Sequence, residues 1–328
     1  MPNKMNTLAI DVGTHAMRAA IYTVENGFLI NGGIVEVPLG LHDLGNGHIE
    51  QDPAEFIAGL HKLISELISP GDHTQYQLAI ACQRSSVLAW CKNTGEALSP
   101  ILSWQDTRAI AKVRALTNTQ REFIQHHTGL PVNAHFGASK IATLAAATSK
   151  NRDVIYGPLA AWLVHYLTHR PACDLVNACR TLCVDIHNTN IFNWGKQLCE
   201  IWGIKPQELP LVVPNRTMFG EVKITGQEAQ AFNGQLCVVT GDQNAAFIAL
   251  NSQGQQAGFN NPLVINIGSG GFVLGARAHL QEHSPHPKLL HAPLFANEQN
   301  IEWLQEGTVN SSGTCLLYTS PSPRDDIS

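Results

Sequence analysis

A strand, a polar bend and a second strand occur twice in this chain, far apart in sequence. The first is LAIDVGTHAMRAAIYT, Leu8 to Thr23, and the second is PLVINIGSGGFVLGA, Pro262 to Ala276. In each, an apolar run stops at small or hydroxylated residues, Gly13-Thr14 in one and Gly268-Ser269-Gly270 in the other, and an apolar run then resumes. A bend of that kind gathers backbone N–H groups into a concave, anion-attracting surface. The segments between restrict the fold further. Asn26-Gly27 signals another hairpin. In EQDPAEFIAGLHKLISELI, Asp52 can cap a helix, Pro53 fits its first position and Glu55 is spaced to reach back to the cap. Phe56, Ile57, Leu60, Leu63, Ile64, Leu67 and Ile68 then make one apolar stripe. YQLAIAC reads as a buried strand, and residues 109–202 as mostly helical. LPLVVPNRTMFGEV reads as an extended connector, and QLCVVTGDQNAAFIAL as a buried strand, a Gly-Asp turn and a helix start. EWLQEGTVNSSG reads as a strand running into a helix. Strands followed by returning helices make this an α/β chain.

At 328 residues the length suggests roughly two domains. A net charge of −5 without a basic block excludes nucleic acid as the expected partner. No apolar run reaches the ~18 residues of a membrane span, and the N-terminus lacks a secretory pattern. Eight scattered cysteines read as small buried apolar residues in a reducing compartment, so the expected location is the cytoplasm. Fifteen histidines do not cluster at zinc spacing, and His126-His127 reads as a solvated feature of a helix end. Trp162, Trp194 and Trp202 read as core, and Cys82 as packing.

Three places could carry chemistry. At the first bend, Gly13 and Thr14 offer N–H groups and a hydroxyl, Asp11 a hard oxygen ligand for Mg²⁺, and Arg18 a planar cation, a set that suits a nucleotide's phosphates. A plain hairpin turn would look similar. The second bend adds Gly268 and Ser269 in the same style, so two domains closing on one nucleotide become the preferred reading. In TGDQNAA, Asp242 follows a buried strand and opens a helix, the edge where open α/β sheets hold ligands. Its carboxylate can accept the proton of an attacking hydroxyl, or merely cap the helix.

These motifs resemble the FGGY carbohydrate kinases, the sugar and polyol kinases of the actin/hexokinase/Hsp70 superfamily, from about Leu8 to Gly313. DVGTHAMRA resembles the first phosphate hairpin, and GHIEQDP the family's Gly-aromatic-x-Glu-x-Asp-Pro. ACQRSSVLAWCKNTGEALSPILSWQDTRA resembles the substrate strand and its Trp-Gln-Asp-x-Arg sequel. TGLPVNAHFGASKI, GPLAAWLVHYLT, NACRT, GDQNAA and NIGSGGF follow in the family's order. The resemblance implies a ribonuclease H-like, actin-like ATPase fold, with residues 1–252 the sugar-binding N-terminal domain and 253–314 the start of a second, nucleotide-binding one. It implies ATP and Mg²⁺ as cofactors and phosphorylation of a sugar or polyol hydroxyl. Asp242 would be the general base with Gln243 beside it, and Arg84, Trp104 and His135 would line the sugar pocket. Asp11 would order the Mg²⁺ water shell. Gly13, Thr14, Arg18, Gly268 and Ser269 would hold the phosphates. A homodimer is the assembly implied for a full-length version.

The departures matter. The family's glycerol branch has an acid after the arginine and a tyrosine further on; here Ser85 and His135 stand there. A serine makes one weaker bond where a carboxylate grips two hydroxyls, so this pocket is expected to discriminate against glycerol. His15 replaces the usual Thr or Ser of the first hairpin. TCLLYTSPSPRDDIS turns to Ser, Pro and charge without apolar period, and CLLYTSPSPRD resembles a translated sequencing-library adapter. Residues 315–328 therefore read as a non-native tail, with an ordinary disordered tail as the alternative, and the chain as a truncated, inactive kinase. The rival function is an ATP-driven conformational switch or a sugar-binding module without kinase activity.

Overall fold

The computed structural model describes residues 6–25, 28–69, 71–148, 153–222, 224, 232–258, 262–267, 270–277 and 289–310. Asn26-Gly27, Gly268-Ser269 and the 315–328 tail lie outside them. β1 (Asn6–Val12) and β2 (Ala16–Glu25) form the opening antiparallel hairpin, and β3 (Phe28–Asn31) and β4 (Val35–Pro38) both pair with β2. Two short strands, β5 (His42–Asp43) and β6 (Ile49–Gln51), lead into helix α1 (Pro53–Leu67), and the chain returns as β7 (Tyr76–Cys82). β8 (Val87–Cys91) and β9 (Ile101–Leu102) follow, then α2 (Ile110–Arg114), α3 (Asn118–Thr128) and α4 (Gly137–Ala147). Next come β10 (Val154–Pro158), α5 (Leu159–Thr168), β11 (Ala172–Asp174), α6 (Leu175–Cys179) and α7 (Lys196–Trp202). β12 (Leu211–Val213), β13 (Arg216–Glu221) and β14 (Gly234–Gly241) lead to α8 (Asp242–Gln256). The last four strands are β15 (Val264–Ile267), β16 (Gly270–Arg277), β17 (Leu289–Ala296) and β18 (Ile301–Asn310).

A seven-stranded sheet runs β13-β14-β7-β1-β2-β3, with β4 also on β2, and its central β1, β7 and β14 are parallel. α1 is the crossover that makes β7 parallel to β1. Its Phe56, Leu60, Leu63 and Ile64 are buried, each such side chain contributing about 1.5–3 kcal/mol of hydrophobic stabilisation. Asp52 caps it, accepting from the Ala54 N–H at 2.9 Å. Glu55 does not return to the cap; its Oε2 accepts the Gly40 N–H at 2.7 Å and ties the helix to the loop after β4.

Strands also occur where the sequence predicts helix or connector. The stretch 109–202 contains β10, which is buried and pairs with β8 in a second, five-stranded sheet, and β11, which pairs with β12. The supposed connector supplies β12 and the sheet-edge strand β13. β18 continues as strand to Asn310. β15-β16-β18-β17 form a separate four-stranded antiparallel sheet over a small core of Phe247, Val264, Leu274, Leu294 and Leu304. Trp162 and Trp202 are core as expected, while Trp194 is only half-buried. Cys82 is fully buried and its thiol is pushed well up by that burial, which fits packing rather than reactivity. His126 and His127 are not simply solvated: both rings contact His187, and His127 Nδ1 lies 3.0 Å from Asp185. Among the described residues no helix is long and apolar enough to cross a membrane.

Candidate active site

The first bend closes with Gly13 N donating to Ala16 O at 3.0 Å. A Cβ on Gly13 would stand 3.0 Å from that same oxygen, so a larger residue would press on the turn. Two buried glutamines fix the bend from below. Gln51 Nε2 donates to Thr14 O at 2.8 Å, and Gln83 Nε2 donates to Gly13 O at 3.3 Å and to Gln51 Oε1 at 2.9 Å. Trp104 Nε1 donates to Thr14 Oγ1 at 3.0 Å, which joins the bend to the loop after β9. Asp11 and Arg18 are cross-strand partners. The Arg18 guanidinium stands 3.8 Å from Asp11 and 2.6 Å from Glu36. Burial raises the Asp11 carboxyl above its usual range, the Asp242 charge adds to this, and Arg18 opposes it. His15 is exposed.

Asp242 belongs to the same place because of register. Val12 at the end of β1 and Gly241 at the end of β14 both align with Cys82 of β7. The two strand ends therefore stand level, two strand spacings or about 10 Å apart. Gly241 is the N-cap of α8 and Asp242 its first helical residue, with Oδ1 accepting the Gln243 N–H at 2.8 Å. The half-buried carboxylate lies 3.8 Å from Arg84 Nε. A Cβ on Gly241 would sit 2.7 Å from Arg84 Cδ, so this glycine makes room for the arginine.

Arg84 is only 7% exposed and is held by a group the sequence reading did not find. Glu306 of β18, 2% exposed, accepts from Arg84 Nη1 at 2.8 Å and from Nη2 at 3.2 Å, and from Arg180 Nη2 at 2.6 Å. Burial alone would raise the Glu306 carboxyl, but Arg180 and Arg84 outweigh it and hold it well below the usual range. Arg84 Nη1 also reaches Asn244 Oδ1 at 3.3 Å, and the guanidinium lies 5.8 Å from the Phe272 ring centroid. Arg180 falls inside the NACRT motif; Glu306 carries no local signal, since its strand also holds Glu302, Gln305 and Thr308.

Trp104 and His135 meet edge to face, ring centroids 5.5 Å apart. Lys140, fully buried, stands behind them and donates to Ser103 O at 3.0 Å and His135 O at 2.9 Å. Burial pushes the His135 imidazole down to about 3, with Lys140, Arg180 and Arg84 adding to this, so the ring is neutral at physiological pH. Burial also pushes Lys140 down to about 7, against the pull of Asp106. Ser85 adopts φ 68°, uncommon outside glycine, and its buried Oγ has no hydrogen-bond partner among the described residues. Gln243 Oε1 accepts from Asn266 Nδ2 at 2.8 Å, which brings β15 beside Asp242. Gly268 and Ser269 lie outside the described residues.

Gly13, Thr14, Trp104 and His135 are thus joined through the two glutamines and the ring contact, and Arg84, Asp242 and Gln243 form a second linked group whose strand end stands level with that of Asp11. Arg18 sits beside Asp11. Among the described residues no group of three or more His, Cys, Asp or Glu side chains is arranged to hold a metal. The Asp11 carboxylate, raised by burial and by the Asp242 charge, is a hard oxygen ligand of the kind that would suit a divalent cation held with waters and phosphate oxygens. A cavity of about 340 Å³ runs along the sheet face below Asp11, past Ala79, Ala81 and Thr240. A larger one of about 880 Å³, between the start of α1 and Tyr166, is lined by none of the expected site residues.

Comparison with known proteins shows the family. The model of the N-terminal domain of the FGGY family of carbohydrate kinases matches residues 6–250. The glycerol kinase of Pseudothermotoga lettingae is 27% identical over 325 residues, 95% of this chain and 62% of that protein. The glycerol kinase of Mycoplasma pneumoniae is 27% identical over 331 residues, 96% of this chain and 63% of that protein. Among solved structures, Plasmodium falciparum glycerol kinase with ADP superposes with a TM-score of 0.79 at 24% identity, over 96% of this chain and 63% of that one. The ligand-bound xylulose kinase of Lactobacillus acidophilus gives 0.79 at 17% identity, over 96% and 62%. This chain therefore spans under two thirds of the length of the relatives it matches.

Proposed function

Because the chain belongs to the FGGY family of carbohydrate kinases, with the actin-like α/β fold of its solved members, we propose that its site transfers the ATP γ-phosphoryl group to a hydroxyl of a sugar or polyol. The observation that carries this reading is the level placement of Asp242 and the Asp11–Thr14 bend, two strands apart on one sheet edge. Asp242 accepts the proton of the attacking hydroxyl as the new P–O bond forms. Arg84 and Gln243 orient that hydroxyl, and Trp104 and His135 form the wall behind it. The N–H groups around Gly13 and Thr14, with Gly268 and Ser269 of the second bend and Arg18 at the rim, hold the phosphates. Mg²⁺, when bound, neutralises charge on the phosphate oxygens; Asp11 is the residue to hold it. A phosphoryl transfer of this kind needs positioning and charge more than strong base catalysis. The neutral His135 ring and the short, unpartnered Ser85 hydroxyl favour a neutral acceptor larger than glycerol.

The test is ADP release, followed by a coupled assay across glycerol, longer polyols and ketoses. Acceptor-dependent ADP formation that falls roughly 10²–10⁴-fold in Asp242→Asn supports the reading. Near-normal turnover in Asp242→Asn removes the base from its role. ADP formation indifferent to any acceptor points instead to an ATP-driven switch.

A further inference from the structure

Arg84 and Asp242 carry opposite charges at the mouth of the same buried site, yet they do not close on one another. Their nearest atoms are 3.8 Å apart, whereas Arg84 meets Glu306 at 2.8 Å. A guanidinium offered two carboxylates forks onto the one that presents both oxygens in its plane, and here that is Glu306. Arg180 supplies a second cation to Glu306, which therefore bridges two arginines. Building on the kinase reading above, we propose that Glu306 is a positioning residue. By taking both Nη groups of Arg84 it leaves Nε facing the acceptor and keeps the arginine from capturing Asp242.

Two consequences follow from the geometry. Glu306 lies on β18 and Arg84 immediately beyond β7, so the pocket's arginine is set by the four-stranded sheet rather than by its own. Asn244 supports the same arrangement from α8: its Oδ1 accepts from Arg84, and its Nδ2 donates to Pro293 O and Leu294 O of β17. Without Glu306, Arg84 would swing onto Asp242. The acceptor would lose a donor, and the base would be held ionised by a direct pair that also blocks it.

The experiment uses the purified chain with Glu306→Gln combined with Arg180→Met, which keeps the charge balance. In ¹⁵N NMR of the arginine side chains, with Arg84 assigned by its loss in Arg84→Lys, the wild type should show hindered rotation of the two Nη groups. The double variant should show them averaged. In acceptor kinetics, the double variant should raise acceptor KM by at least roughly 10-fold and move the acid limb of kcat/KM to lower pH, a shift that general destabilisation would not produce. Glu306→Asp, which keeps the charge but withdraws the carboxylate, should give the same changes in smaller measure and serves if the double variant does not fold. Persisting hindered rotation in a folded variant, or unchanged KM and pH profile, overturns the proposal. A wild type that forms no acceptor-dependent ADP defeats the kinase reading alone, and the NMR comparison still decides whether Glu306 sets Arg84.

Discussion

Lys140 brings an ammonium group where water does not reach, and gives two of its hydrogen bonds to the carbonyls of Ser103 and His135. Those carbonyls flank the two rings of the pocket wall, so the lysine sets the spacing of Trp104 and His135. Its pKa of about 7 has a consequence for stability. The unfolded lysine keeps its proton to about pH 10.4, so between those values the unfolded state binds more protons and stability rises with pH, by up to about 1.4 kcal/mol per unit. Below pH 7 both states are protonated and the slope disappears. Wild-type stability should therefore rise relative to that of Lys140→Met from about pH 7 to 9, seen by thermal denaturation across that range. A gap that stays constant would mean that Lys140 titrates as an ordinary lysine. Nothing local in TGLPVNAHFGASKI marks this residue: a lysine on a helix is normally a solvated one, and only the loops folded over α4 bury it. Asp11 and Asp242, by contrast, were legible because the signal is local, an acid at the end of an apolar run followed by glycine or a helix start.

At the level of elements, the first hairpin, α1 and the β14–α8 junction follow from short-range rules of alternation, capping and helical period. β10 and β13 escaped those rules for a physical reason. β10 is buried throughout and so shows no alternation, and β13 pairs irregularly, its register shifting between Arg216 and Gly220. Glu55 departs from the capping box that its spacing allows, because its side chain accepts the Gly40 N–H instead. The β14–α8 junction is where element geometry meets chemistry, since Gly241 lets the strand turn into the helix against the Arg84 side chain. Gly241→Ala should push that side chain aside, cost about 1–3 kcal/mol of stability by overpacking, and weaken acceptor binding by roughly 10- to 100-fold. A melt and an acceptor titration by tryptophan fluorescence would measure both. Unchanged affinity would mean that Arg84 does not touch the acceptor.

A few buried polar side chains bridge the sheets of the molecule, and these long-range links are what a sequence hides most completely. Asn215 donates to Asp174 Oδ1 and Val239 O and accepts from Ala296 N, so one amide ties the cap of α6 and β14 to β17. Arg84 and Glu306 are 222 residues apart. The four-stranded sheet has a small core of its own, packs Leu290, Ala296, Ile301 and Trp303 against the two larger cores, and is crossed at the same junction by these polar links. Asn215→Ala would take a partner from Val239 O and Ala296 N, each costing about 1–3 kcal/mol where left unpaired, while Asp174 keeps its bonds from Asn177. Because the partners sit on both sides of the junction, the loss should fall unevenly. The sheet carrying Trp303 should melt first, giving a low-temperature step in tryptophan fluorescence, while far-UV circular dichroism keeps most of its signal until a second step near the wild-type midpoint. If Asn215→Ala instead lowers a single transition seen alike by both probes, the two sheets unfold as one cooperative unit. In that case the Arg84–Glu306 contact lies within a shared core, and the pocket arginine is held by the whole protein rather than by a separable sheet.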